Sequence, residues 1–161
     1  MNVTTSKLEL KRLSESFYLN QAPNIKEILL KDTRPYCVLL VKVKNLRFAL
    51  PLRSNLPNRE GCGFKTIENK ALTEEHGLVK FKGIDFSKAI LIYDDSFLKE
   101  DNVLLKDKQE WINILGNEKK IAREFKHYVE GYITALKNNS ALDDKYEYTT
   151  LINYHKELKI E

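Results

Sequence analysis

The chain has little of what most enzymes use as reactive groups. Two cysteines, Cys37 and Cys62, stand too far apart to read as a zinc-ligand pair in its 161 residues. Cys37 sits in the apolar run "YCVLLV" and reads as a small buried hydrophobe, and Cys62, between two glycines, is also taken as structural. The three histidines, His76, His127 and His155, are scattered. Six glycines and four prolines leave no room for a low-complexity tract. No P-loop, dinucleotide fingerprint, HExxH or serine elbow is present. The carboxylates show no paired spacing that suggests a divalent metal, so neither metal nor cofactor is expected. No apolar run approaches the length that spans a bilayer, and "MNVTTSKLELKR" lacks a signal-peptide core. One cytoplasmic domain over 1–161 is the expectation.

Charge is present and unevenly placed. Lys and Arg outnumber Asp and Glu by 16 to 9 across residues 1–90 but are outnumbered by 11 to 14 across 91–161, within a net formal charge of +4. The excess is sharpest over 31–70, where Lys31, Arg34, Lys42, Lys44, Arg47, Arg53, Arg59, Lys65 and Lys70 face only Asp32, Glu60 and Glu68. A one-sided basic region is the electrostatic footprint of a polyanion partner, and the plainer alternative is a solvated face.

Periodicity divides the chain into strands followed by helices. Residues 7–13, 35–44, 46–52, 62–67, 78–82 and 88–95 read as strands, with "KNLR" turning the second into the third. Ser14 is a candidate N-cap for a helical turn in "SESFYLNQ". In "NVLLKDKQEWINIL" a helical face would carry Leu104, Leu105, Trp111, Ile112 and Leu115, and Gly116-Asn117 then breaks the chain. The strongest helix, 118–136, repeats Ile121, Phe125, Tyr128, Val129, Tyr132, Ile133 and Leu136, an apolar stripe of core type. A short helix over 150–159 with Thr150 as N-cap closes the chain. The fold class is α+β, an antiparallel sheet covered by helices, with the C-terminal half helical.

One stretch breaks its own pattern. "RFALPLRSNLPNREGCGFKT" (47–66) begins as a core strand, meets Pro51, and delivers Arg53 and Ser54 into an irregular basic loop. Pro51 is expected to release the strand from the sheet. Guanidinium grips phosphate in bidentate fashion, and a hydroxyl beside it adds a hydrogen bond. RNA cleavage through its own 2′-OH asks a protein only for positioning, electrostatics and proton transfer.

"RPYCVLLVKVKNLRFALPLRSN", then "GFKT", then "HGLVKF" resembles the toxins of type III toxin–antitoxin systems, the ToxN/AbiQ and TenpN/CptN group. In that family a strand ending in Pro-Leu-x-Ser carries the active site, here Pro51-Leu52-Arg53-Ser54. The resemblance implies a Kid/MazF-like sheet or partial barrel with added helices. It also implies a metal-independent, sequence-specific endoribonuclease of phage defence that leaves 2′,3′-cyclic phosphate ends. The same enzyme would process a repetitive RNA antitoxin, which inhibits it within a cyclic protein–RNA assembly having little protein–protein contact. Ser54 matches the family's serine, Arg53 stands where a neighbouring hydroxyl residue is expected, and Arg34 stands where a lysine is expected. Leu56 stands where another lysine is expected, and Lys65 is the substitute. The expected catalytic set is Arg34, Arg53, Ser54 and Lys65. The expected RNA-binding set is Lys42, Lys44, Asn55, Arg59, Lys80 and Lys82. A basic RNA-binding module without chemistry is the competing reading.

Overall fold

A computed structural model describes residues 9–28 and 37–160. Arg34, Lys31 and the side chain of Cys37 lie outside the described residues. The helices are α1 (Glu15–Asn20), α2 (Lys70–His76), α3 (Lys108–Leu115) and α4 (Glu118–Lys137). The strands are β1 (Leu10–Arg12), β2 (Cys37–Val43), β3 (Leu46–Arg53), β4 (Gly63–Glu68), β5 (Phe81–Asp85) and β6 (Ile90–Leu91). They form one open antiparallel sheet in the order β1-β2-β3-β5-β4, with β6 also on β3. The expected α+β class, with helices concentrated in the C-terminal half, is the class observed.

β3 is the axis of the sheet. Lys44 and Asn45, at φ 53° and 66°, form the two-residue turn that joins it to β2. Phe48 and Leu50 point into the main core with Leu39, Val41, Ile84 and the stripe of α4. Ala49 faces a second core made with Phe17, Val38, Ile90 and Phe97. A strand buried on both faces reads as a continuous apolar run, which is what "FALPL" is. On one edge β3 pairs with β2 from Leu46 to Pro51. On the other it pairs with β6 at Phe48 and Ala49, then with β5 at Leu52 and Arg53. Pro51 therefore does not release the strand. It falls in the gap between two partners on that edge, where a missing N–H costs least, and β3 runs on to Arg53.

The helical half departs from expectation in two places. Asp107 accepts from the Glu110 amide and starts α3 at Lys108, so the predicted face from Leu104 onward does not form. Leu104 is 82% and Ile112 58% exposed, whereas Ile114 and Glu110 are buried. Residues 150–153 make a single 3-10 turn capped by Thr149, not a longer helix capped by Thr150. The Thr150 hydroxyl is buried and donates to the Ala89 carbonyl instead.

α4 fulfils its pattern. Phe125 meets Phe48 edge to face at 5.3 Å and Phe86 at 5.5 Å, and Tyr128, Tyr132 and Tyr146 continue the cluster. Burial pushes the hydroxyl pKa of Tyr132, Tyr146 and Tyr154 to about 12, and raises that of Tyr128 further. A folded pKa above the ordinary value near 10 favours the neutral form, so this stabilisation is complete below about pH 10 and lost as pH climbs through about 12. The melting temperature should accordingly hold steady up to about pH 10 and then fall, with these tyrosinates absorbing only as the protein unfolds. Tyrosinate absorbance that develops in full below the unfolding transition would contradict it.

Candidate functional site

The site assembles where β3, β5 and β4 end together. Arg53 pairs with Gly83, and Gly83 pairs with Lys65, so Arg53 and Lys65 lie in one row on one face. Two strand spacings, about 10 Å, separate them, and the Leu56 side chain packs over Gly83 between them. Added methyls explain the glycines. A Cβ at Gly83 would lie 2.3 Å from the Phe64 carbonyl, and one at Gly63 would lie 2.4 Å from that of Ile84. The two backbones approach too closely for any other residue. Leu56 covers this bare floor, its methyls 2.8 Å from the absent Cβ of Gly83 and 3.0 Å from that of Gly63. Its amide donates to the Phe81 carbonyl at 2.9 Å. At the position where the resemblance expects a lysine, the chain thus carries a packing residue.

Arg53 is anchored from below. Its Nη1 donates to Asp85 Oδ2 at 2.9 Å, with the Asp85 side chain at 0% exposure and that of Arg53 at 25%. Asp85 Oδ1 accepts from the Ser87 amide at 2.9 Å and the Ser87 hydroxyl at 2.6 Å. The thiol of Cys62, 4.0 Å from Asp85, has its pKa raised by burial and then by that carboxylate, which keeps it an unreactive thiol. Sequence reasoning missed Asp85: a single aspartate in "KGIDFSK" carries no motif.

Ser54 and Asn55 follow β3 and are exposed. Asn69 donates from Nδ2 to the Ser54 carbonyl at 2.8 Å, while its Oδ1 caps α2 by accepting from Leu72. Its amide donates to the Lys80 carbonyl at 2.7 Å, so one asparagine ties the serine segment to α2 and β5. Lys65 is exposed, with Nζ 4.6 Å from the Phe81 ring centroid. Arg59 lies over the Tyr148 ring at 5.2 Å and 3.8 Å from Glu147, docking the 55–62 loop on the C-terminal segment.

The remaining basic residues are dispersed. Lys80 and Lys82 are near in sequence, but strand alternation sets Lys82 with Ile84 on the face opposite Arg53 and Lys65. Lys42 and Lys44 are at the β2–β3 turn, about 20 Å along β3 from Arg53. Of the expected residues, Arg53 and Lys65 share one row about 10 Å apart with Leu56 between them, Ser54 follows Arg53 in the chain, and Asn55 and Arg59 lie on the adjoining loop. His127 is exposed, and His155 Nε2 shares a 2.6 Å hydrogen bond with the Tyr132 hydroxyl.

Beside Lys65 opens a cleft of about 620 Å³ between the 56–61 loop and the start of α4. Among the described residues no three His, Cys, Asp or Glu side chains converge as a metal-ligand set. No helix among them is long and apolar enough to cross a membrane.

The fold has a known counterpart. The chain is similar in structure to AbiQ, a lactococcal anti-phage endoribonuclease belonging to the type-III toxin–antitoxin system, with a TM-score of 0.60 over 89% of this chain and 90% of that one. Sequence identity is 13%, so the likeness is one of fold. No protein-family model and no curated protein sequence matches the chain.

Two substitutions test the geometry. Gly83→Ala forces a methyl against a carbonyl and should destabilise by about 2–4 kcal/mol. Asp85→Asn leaves Arg53 without its charge partner and should cost on the order of 2–4 kcal/mol, a melting-point drop of roughly 4–16 °C. Urea denaturation checks both, and a cost below about 0.5 kcal/mol for either would show that the site floor is not built this way.

Proposed function

We propose that the protein is the toxin of a type III toxin–antitoxin system, a metal-independent endoribonuclease that cuts RNA and processes its own repetitive RNA antitoxin. What supports the reading is the likeness of the whole fold to an anti-phage endoribonuclease together with Arg53 and Lys65 in one row across Gly83 and Ser54 next to Arg53 in the chain. The same elements carry the motif order that the sequence shares with such toxins.

The reaction is attack of a ribose 2′-oxygen on the adjacent phosphorus, with the bond to the 5′-oxygen breaking and a 2′,3′-cyclic phosphate formed. The nucleophile belongs to the RNA. Arg53, held by Asp85, offers its remaining guanidinium donors to the non-bridging oxygens. The Ser54 hydroxyl adds a donor to the same phosphate. The 2′-OH proton passes to solvent, and we assign donation of a proton to the departing 5′-oxygen to the Lys65 ammonium, which solvent then reprotonates. Arg34 remains a candidate for the catalytic set, and Lys42, Lys44, Asn55, Arg59, Lys80 and Lys82 remain the candidates for RNA binding. The inhibitor would be a folded repeat of the antitoxin RNA covering the Arg53/Ser54 site, in a closed protein–RNA ring.

One observation favours the competing reading of a binding module without chemistry. Arg53 is already engaged by Asp85, and Lys65 by the Phe81 ring, as phosphate anchors often are. Purified protein incubated with mixed RNA in EDTA separates the two. The toxin reading expects discrete fragments with cyclic phosphate ends. It also expects Ser54→Ala to keep its fold, lose at least about tenfold in cleavage rate and lose its toxicity in cells lacking antitoxin. RNA bound but left intact, or cut only with added metal, would favour the binding module.

A further inference from the structure

The asparagine at position 69 does more than start a helix. Its Oδ1 accepts from the Leu72 amide at 3.2 Å and so caps α2. That task needs only an oxygen, and among the described residues the other side-chain caps are Ser14, Asp85, Asp94, Asp107 and Thr149. What the amide adds is a donor, Nδ2, which goes to the Ser54 carbonyl at 2.8 Å. The two bonds fix the orientation of the amide, since the Leu72 N–H needs an acceptor and the Ser54 carbonyl needs a donor.

That carbonyl belongs to a stretch with few other ties. The ladder of β3 with β5 ends at the Arg53–Gly83 pair, and the Leu56 amide then donates to the Phe81 carbonyl. Ser54 and Asn55 span the interval, both exposed, and Asn69 supplies the side-chain hydrogen bond to them among the described residues. α2 buries no residue, so its cap contributes little to the core. It is nevertheless fastened to the start of β5. The Asn69 amide donates to the Lys80 carbonyl at 2.7 Å, and the Lys80 amide donates to the Thr73 hydroxyl at 2.9 Å. Ser54 is thus held against an anchored helix rather than by the sheet.

We propose that Asn69 is a positioning residue for Ser54, its Nδ2 fixing the backbone between Arg53 and Leu56 so that hydroxyl and guanidinium meet one phosphate. The role rests on the toxin reading, because only a reaction at that phosphate gives the position of the hydroxyl a consequence. Asn69 touches no reacting atom. It acts through the serine, where a displacement of about 1 Å can cost up to about a hundredfold in rate.

Asn69→Ser keeps a cap oxygen and removes the donor without adding charge, and Asn69→Asp does the same at nearly unchanged size. Asn69→Ser should keep the urea midpoint of wild type. In both variants the backbone order parameters of residues 54 and 55 should drop from the rigid range near about 0.85 to below about 0.6. With RNA in EDTA, kcat should fall at least about tenfold while KM stays within about threefold of wild type. Added to Ser54→Ala, Asn69→Ser should cost nothing further, because the hydroxyl it acts through is already gone. Unchanged order parameters, an unchanged kcat, or losses that add in the double variant overturn the role. If wild type leaves RNA intact, the nuclease is defeated separately. A drop in the order parameters then still upholds Asn69 as the residue that positions Ser54, and steady values overturn it.

Discussion

A carboxylate with no exposure at all is the constraint on which the candidate functional end of this fold depends. Asp85 cannot be left uncompensated, because desolvating a charge costs several kcal/mol, on the order of what a domain has in reserve. Four protein donors compensate it: the amide and hydroxyl of Ser87, the guanidinium of Arg53 and, more weakly, the Cys62 thiol at 4.0 Å. The first two lie one turn away in sequence, but Arg53 comes from the end of β3. The pair therefore fastens the last residue of one strand to the last residue of its neighbour. It also fixes which way the guanidinium points, leaving a quarter of that side chain exposed. Ser54 comes next in the chain, and Asn69 holds its carbonyl. The placement of Arg53 descends from one buried aspartate, and Asn69 fixes the segment that follows it.

The sheet around this pair replaces one arrangement of charge by another. Where the sequence resemblance leads one to expect a lysine just beyond the serine, Leu56 instead seals the two glycines on which β4 and β5 approach. A cation there would be driven into an apolar, backbone-crowded floor. The positive group on this face comes from β4, where Lys65 stands in register with Arg53 across Gly83. The leucine, the glycines and the lysine are one solution: close backbones need glycine, glycine leaves a gap, Leu56 fills it, and the charge moves one strand outward.

How much of this could be read beforehand follows from where the energy lies. α4 was legible because its stripe buries six apolar residues, so periodicity and packing agree. β2 and β3 were legible for the same reason, their turn needing only Lys44-Asn45 in the left-handed region. α3 misled because the apolar residues from Leu104 onward fit a helical period, while Asp107 supplied a stronger start and Glu110 was buried to receive the Thr66 hydroxyl. α2 was not anticipated because it buries no residue and has no stripe; only the Asn69 cap and Gly77, at φ +71°, announce it. Of the site, Arg53 and Ser54 were visible as a break in a strand pattern. Asp85 and Asn69 were not, since each acts through a partner more than ten residues away.

The dispersal of the basic residues has its own consequence for an RNA partner. Arg53 and Lys65 share a face, Lys82 lies on the other, and Lys42 and Lys44 sit about 20 Å away at the far turn of β3. No straight groove joins them. A short single strand at the Arg53/Ser54 row meets only that row and the cleft beside it, so its recognition falls to Lys65 and to the groups that line the cleft. A folded RNA large enough to pass around the end of β5 meets both faces and gains a phosphate contact at each added lysine, releasing counterions as it does so. On the proposed toxin reading, substrate and inhibitor would share one site and still differ greatly in affinity. The short substrate would be held weakly enough to leave after cleavage, and the folded repeat would be retained by charges that the reaction does not use.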